Sequence, residues 1–107
     1  MRTTLRASLE ARVRFTAIGG VSFEPISGEG VVQNLSTGGL CFVTDKRLTP
    51  GEVVELTFSA NGETFLFRGE IVRSGESGGG YMAGVRFDAG HPETEESLQK
   101  LASLGAD

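Results

Sequence analysis

Short runs that alternate apolar and polar residues, separated by glycine or proline, fill most of the sequence. The first covers residues 12–17, where Val13, Phe15 and Ala17 alternate with polar side chains. A period of two is typical of a strand with one buried face, and glycine and proline favour the turns between strands. The chain contains 16 glycines, which suits a fold with many tight turns. The pattern therefore predicts an all-β fold.

The same reasoning predicts further strands along the chain. They cover residues 21–24, 30–33, 40–44, 53–58, 65–72 and 81–87. Turns are predicted at residues 19–20, 25–30, 34–39, 50–51 and 61–62. Residues 74–80 contain four glycines and are predicted to form a mobile loop. Six to seven short strands with short connections favour a small antiparallel β-barrel that is closed or nearly closed.

One α-helix is predicted at the C-terminal end of the barrel. It begins after His91, because Pro92 suits the first helical turn and the glutamates that follow lie near the positive end of the helix dipole. Gly105 is predicted to end it. Its apolar stripe, which is expected to pack on one opening or side of the barrel, consists of Leu98, Leu101 and Ala102.

Two polar motifs stand out against this background. Arg2 and Arg6 form an R-x-x-x-R pair, and residues 34–39, Asn34-Leu-Ser36-Thr-Gly-Gly39, match [D/N]-x-S-x-x-G at a predicted bend. The first 14 residues contain four arginines and one glutamate, whereas the net charge of the chain is −4. This distribution favours a localised anion site over the broad basic surface that a nucleic-acid-binding protein needs.

In this order the two motifs resemble those of the PilZ domain family, whose members sense the bacterial second messenger cyclic di-GMP. Later features occur in the family's order as well, namely Leu40, Gly51, residues 69–73 and Tyr81-x-x-Gly-Val-x-Phe87. The resemblance extends over about residues 2–104. It implies a PilZ-like β-barrel domain with a C-terminal helix in residues 11–107, preceded by a flexible arginine arm in residues 1–10.

The resemblance also implies a binding site for cyclic di-GMP formed by Arg2, Arg6, Asn34, Ser36 and Gly39. Arginine pairs with phosphate oxygens, engages the guanine edge and stacks on purines, so two arginines can hold both the charge and the bases. In the family, the residues that correspond to Asn34 and Ser36 form hydrogen bonds with the nucleotide. The glycine that corresponds to Gly39 allows the backbone to turn because no side chain is in the way. Asn34 occupies a motif position at which aspartate is more common in the family. No cofactor or metal is implied.

A rival register stays open, in which Arg12 is the second motif arginine and Ser8 occupies the place of the first. The protein would then be a degenerate member that does not bind the nucleotide. A separate alternative, from another class of function, is a ligand-independent interaction module of PilZ fold in pilus, motility or envelope machinery. The preferred prediction is a stand-alone cytoplasmic receptor in bacterial signalling, which binds cyclic di-GMP and relays the signal to an unidentified protein partner.

Other classes of function fit the sequence less well. A barrel that binds single-stranded nucleic acid is disfavoured, because the chain is acidic and its aromatic residues alternate as core residues. An enzyme is not expected, since His91 is the only histidine and no serine has a recognisable base partner. Cys41 is the only cysteine, so no intrachain disulfide is possible. Neither a signal peptide nor a membrane-inserted segment is predicted, since no apolar run approaches about 18 residues.

Overall fold

The computed structural model describes residues 5–6, 12–19, 25–36, 38–60 and 62–103. These residues form a succession of strands followed by one helix. The elements are β1 (Leu5–Arg6), β2 (Arg12–Gly19), β3 (Ile26–Leu35), β4 (Gly39–Thr44), β5 (Val53–Ala60), β6 (Glu63–Ser77), β7 (Gly80–Phe87) and α1 (Pro92–Ser103).

Six of these strands close into an antiparallel barrel. The order around the ring is β3, β2, β5, β6, β7 and β4, and β4 pairs with β3 to close it. The short strand β1 lies outside the ring and pairs with the last two residues of β3, beyond the part of β3 that β2 covers. The predicted all-β barrel with one C-terminal helix is confirmed.

Alternate residues of the strands fill the barrel interior, as the period of two predicts. Val13, Phe15 and Ala17 of β2 are buried, whereas Arg12 and Arg14 are exposed. The phenylalanines form a stacked group in which the Phe58 and Phe65 rings lie 5.1 Å apart and the Phe67 and Phe87 rings 4.0 Å apart. Burial of these large apolar side chains supplies most of the free energy that holds the barrel together.

The predicted turn at residues 25–30 is wrong, because Ile26 begins the long strand β3. Gly28 and Gly30 leave room for core phenylalanines instead of forming a turn. A Cβ at Gly28 would lie 3.0 Å from Cζ of Phe15, and one at Gly30 would lie 2.7 Å from Cδ2 of Phe42. The strand predicted at residues 21–24 lies outside the described residues.

The predicted mobile loop at residues 74–80 is also wrong, because β6 and β7 continue through it as one long hairpin. The pairing of the two strands runs on to Ser77 and Gly80. Gly78 and Gly79 make the turn with φ angles of 54° and 88°. Positive φ at both central residues is what a tight type I′ hairpin turn requires, and glycine adopts it without strain.

Beyond the end of β7, one edge of β6 is covered by α1 rather than by a strand. β7 ends at Phe87, and its pairing with β6 reaches no further than Gly69. Residues 64–68 of β6 therefore have no strand on that side among the described elements, although β5 pairs with them on the other. An open strand edge leaves backbone N–H and C=O groups that need other partners.

Three polar side chains of α1, spaced three residues apart, supply those partners. The hydrogen bonds run from the Arg68 amide to Thr94 Oγ1 (2.8 Å), from the Leu66 amide to Ser97 Oγ (2.8 Å) and from Lys100 Nζ to the Thr64 carbonyl (3.1 Å). Thr94 and Ser97 are buried, and Leu98 of the predicted apolar stripe packs against the core. The other stripe side chains, Leu101 and Ala102, and Gly105 lie outside the described set. Three polar contacts thus hold α1 on β6 alongside the packing of Leu98.

Candidate functional site

A cleft of about 200 Å³ opens on the outer face of the barrel, where β3, β4, β7 and β6 lie side by side. Its lining residues are Asn34, Ser36, Gly39, Leu40, Cys41, Val72, Arg73, Gly84 and Val85. Three of the predicted ligand-binding residues, Asn34, Ser36 and Gly39, are among them. The structure therefore brings the three defining residues of the [D/N]-x-S-x-x-G motif to one concave surface.

Two β-bulges turn polar side chains towards this cleft. The register of β3 with β4 shifts between Val32 and Asn34, and that of β6 with β7 shifts between Ile71 and Arg73. Without the extra residue, strand alternation would put Asn34 on the inner face with Val32, and Arg73 on the inner face with Ile71. The bulges leave Asn34 and Arg73 exposed on the outside of the barrel.

The loop that follows β3 is closed around Ser36. The Ser36 amide donates to the Gly39 carbonyl at 2.9 Å, and the Gly38 amide donates to Ser36 Oγ at 3.3 Å. The Ser36 hydroxyl also lies 3.4 Å from the Gly39 carbonyl, to which it donates. Thr37 lies outside the described residues. These bonds hold the Ser36 hydroxyl at the rim of the cleft in a defined position.

Gly39 is needed at its position for close packing. It is the first residue of β4 and pairs with Arg86 of β7. A Cβ at Gly39 would collide with the carbonyl oxygen of Val85. Its φ is not among the positive values of the described glycines, so the backbone here does not require glycine for its conformation. The space left by the absent side chain lets β4 and β7 approach at the floor of the cleft.

The short strand β1 places Arg6 next to the second motif. Leu5 pairs with Leu35, and Arg6 pairs with Asn34. The backbone register thus brings the second arginine of R-x-x-x-R beside the first residue of [D/N]-x-S-x-x-G, although 28 positions separate them in the sequence. Arg2, and Ser8 of the rival register, lie outside the described residues.

Arg12, the alternative motif arginine, lies elsewhere on the barrel. It is exposed on β2 and pairs with Val31 of β3. It lines a wider, shallow depression of about 660 Å³, which lies between β3, the end of β4 and the Gly78–Gly79 turn. Arg12 does not line the cleft that holds the Asn34 motif.

Arg73 is a cleft residue that the motif analysis missed. Its Nη2 lies 3.5 Å from Cys41 Sγ, to which it donates. A Cβ at Gly84 would come within 3.3 Å of Arg73 Nε, so the absence of a side chain at Gly84 lets the arginine lie across β7. In the sequence Arg73 is two residues after a buried strand position, and only the unforeseen bulge turns it outward.

The described residues contain no group of histidine, cysteine, aspartate or glutamate side chains arranged to hold a metal ion. Within the same residues, no helix is long and apolar enough to cross a membrane. The described lining of the cleft offers hydrogen-bonding amide and hydroxyl groups, together with the exposed guanidinium of Arg73.

Solved structures of similar fold come from three bacterial proteins. The PilZ domain of CeSA from a cellulose-synthesizing bacterium is 21% identical, with a TM-score of 0.60 over 84% of this chain and 86% of that one. The PilZ domain of YcgR from Escherichia coli, solved with c-di-GMP, is 16% identical, with a TM-score of 0.62 over 94% of this chain and 85% of that one. A tetrameric PilZ-domain protein from Xanthomonas campestris is 17% identical, with a TM-score of 0.56 over 78% of this chain and 48% of that one.

At these identities the three likenesses concern the fold alone. No curated protein sequence matches the chain. The family model of the PilZ domain, however, matches residues 5–103, which include every strand of the barrel, the Asn34 motif and α1. The chain therefore belongs to the PilZ domain family.

Proposed function

We propose that this protein is a receptor for cyclic di-GMP, which binds in the cleft between the arginine arm (residues 1–10) and the Asn34 motif. The observation that supports the proposal is the backbone pairing of Arg6 with Asn34, which sets one arginine of the first motif beside the first residue of the second at the cleft. Membership of the PilZ family supports the choice of ligand, as does the fold shared with the PilZ domain of YcgR, a structure solved with c-di-GMP.

The charge of the cleft suits a dianionic ligand. Its described lining includes Arg73 and no aspartate or glutamate, although the net charge of the chain is −4. Arg6 pairs with a residue of this lining through the backbone. A concave site with positive charge and no opposing carboxylate attracts an anion and raises its local concentration.

Each site residue has a role that its chemistry supports. Arg2 and Arg6 bind phosphate oxygens and guanine edges of the ligand through paired N–H donors. Asn34 accepts a hydrogen bond from a guanine N–H, and the Ser36 hydroxyl binds the nucleotide at the rim of the cleft. Arg73 presents a planar cation on the cleft floor, which can stack on a purine base. Gly39 has no side chain, so it leaves the floor of the cleft open for the ligand to approach.

The signal is relayed when the bound nucleotide joins the arm to the barrel and so alters the surface that another protein reads. In this proposal residues 1–10 act as the arm and residues 11–107 as the barrel domain. The receptor works in the bacterial cytoplasm, and its downstream partner is a protein that the cleft does not identify.

A second candidate function, a ligand-independent interaction module, is favoured by an apolar row on the outer face. Val31 of β3 pairs with Val43 of β4, which in turn pairs with Met82 of β7. Val31 is 36% exposed, and the other two side chains are half-buried. Apolar side chains that stand together on a sheet exterior are typical of a surface that contacts another protein.

Titration with nucleotide separates the two functions. We expect isothermal titration calorimetry with cyclic di-GMP to give a saturable heat, because the site offers paired arginine contacts to both phosphates and bases. GTP, which lacks the second guanine and the cyclic diester backbone, is expected to give no comparable heat. Absence of binding at high micromolar cyclic di-GMP would contradict the receptor proposal and favour the interaction module.

Asn34→Asp is expected to tighten cyclic di-GMP binding by about 1 kcal/mol, or roughly fivefold, because a carboxylate accepts a stronger, charge-assisted hydrogen bond from guanine. The matched control is Gln33→Glu, which makes the same change of charge on the neighbouring exposed residue outside the cleft lining. This control is expected to leave the affinity unchanged. Weaker binding by Asn34→Asp would show that repulsion from the phosphates dominates and that Asn34 does not face a guanine edge.

A further inference from the structure

We infer that helix α1 responds to occupancy of the cleft, and that binding at the site loop (Ser36, Gly38 and Gly39) tightens the packing of α1 on β6. The identity of the ligand rests on the proposed function. The coupling itself rests on a continuous set of hydrogen bonds and packing contacts between the site loop and the helix, and it can be tested without any ligand.

The first contact joins the site loop to the end of β7. The Phe87 amide donates to the Gly38 carbonyl at 3.0 Å. The Phe87 ring lies parallel to that of Phe67 on β6, with the ring centroids 4.0 Å apart and an interplanar angle of 3°. Because these rings are packed in the barrel interior, a change at Gly38 is passed to the end of β7 and to the part of β6 that contacts α1.

The second contact joins the end of β7 to α1 through one residue of β6. The Asp88 amide donates to the Arg68 carbonyl at 2.7 Å, and the Arg68 amide donates to Thr94 Oγ1 at 2.8 Å. The Thr94 hydroxyl lies 3.4 Å from the same Arg68 carbonyl, to which it donates. Both the segment after Phe87 and helix α1 are therefore hydrogen-bonded to the backbone of Arg68.

Part of the attachment of the helix to the β6 edge is polar. It consists of hydrogen bonds between side chains and backbone groups, each of which stabilises by only about 1 kcal/mol. Elements held in this way open more readily than the packed core. A ligand that contacts the site loop and stabilises its closed arrangement favours the Gly38–Phe87 bond and with it the docked helix, so nucleotide binding and helix docking reinforce one another.

Backbone amides of β6 report the docking of α1. The amides of Leu66 and Arg68 donate to Ser97 and Thr94, so their hydrogen exchange requires the helix to move away. Successive amides of a strand point to opposite sides, and those of Phe65 and Phe67 therefore face β5. The same strand thus carries both the reporters and their internal controls.

The experiment measures amide exchange by NMR on the full chain with and without cyclic di-GMP. We expect saturating nucleotide to slow exchange at Leu66 and Arg68 about fivefold, the factor that corresponds to about 1 kcal/mol. Exchange at Phe65 and Phe67 is expected to stay unchanged. Nucleotide that binds by calorimetry but leaves Leu66 and Arg68 no slower than these controls would overturn the inference.

A second experiment needs no nucleotide. Thr94→Val keeps the side-chain shape but removes the hydroxyl, and we expect it to speed exchange of the Phe87 amide, which reports the site loop, about fivefold. Ser97→Ala is also expected to speed exchange of the Phe87 amide, and it replaces Thr94→Val in the experiment if that variant does not fold. Unchanged Phe87 exchange in the folded variants would overturn the coupling. Faster Phe87 exchange in a protein that binds no cyclic di-GMP would support the coupling while contradicting the proposed function.

Discussion

Replacing Arg6 with alanine is expected to weaken cyclic di-GMP binding by about 3 kcal/mol, or roughly 150-fold in Kd, because it removes a bidentate, charge-assisted contact. The strand pairing that sets Arg6 beside Asn34 supports this choice of ligand arginine. The melting temperature should hardly change, since β1 has two residues and lies outside the barrel ring. Calorimetry and thermal unfolding of the same variant measure both quantities. Arg2→Ala is expected to behave in the same way.

Arg12→Ala is the matched control, because Arg12 is an exposed arginine that lines a different depression. It should change neither the affinity nor the melting temperature. If Arg12 rather than Arg6 were the arginine that holds the ligand, the ranking would be reversed, with Arg12→Ala the most damaging substitution and Arg2→Ala silent. Equally small effects from Arg2, Arg6 and Arg12 would contradict a nucleotide receptor that works through its arginine arm.

The barrel could be predicted from the sequence because one-sided burial imposes a period of two on each strand. Val13, Phe15 and Ala17 are buried where the alternation predicts them. The C-terminal helix was predictable for a similar reason, since Pro92 and the glutamates after it favour a helix start independently of the rest of the fold. Both signals are local, so no knowledge of distant contacts was needed.

Glycine has two structural roles in this chain, and the sequence alone does not distinguish them. Gly78 and Gly79 form a turn because their φ is positive, whereas Gly28 and Gly30 lie within a strand and make room for Phe15 and Phe42. The second role depends on side chains that are distant in sequence. Counting glycines therefore predicted a turn where the chain has a strand.

The outward positions of Asn34 and Arg73 depend on bulges, and bulges are set by the register between strands. Strict alternation places both residues on the inner face. The motif resemblance assigned a ligand role to Asn34, whereas it included Arg73 only as the last residue of the run 69–73, without such a role. The polar face of α1 was missed for a related reason. Thr94 and Ser97 are buried because β7 stops short of the β6 edge, which is a property of the assembled sheet.

Gly39→Ala is expected to destabilise the fold by about 2 kcal/mol and to weaken nucleotide binding. The added Cβ would collide with the Val85 carbonyl oxygen, and backbone cannot move aside as the end of a flexible side chain can. The strain has to be relieved by separating β4 from β7 at the floor of the cleft. Because the Gly39 carbonyl also accepts the Ser36 amide, the same shift displaces the site loop. Urea unfolding measures the first effect, and calorimetry measures the second.

Gly38→Ala is a matched control for this prediction, because it adds the same methyl group one residue earlier in the chain. No atom lies within 4 Å of a Cβ built at Gly38, and its φ is not in the positive range that disfavours alanine. We expect its free energy of unfolding to stay within about 0.5 kcal/mol of the wild-type value. If Gly39→Ala were equally mild, the close approach of β4 and β7 would not be what requires glycine in the motif. A large loss at Gly39 alone would tie that requirement to the packing that forms the cleft floor.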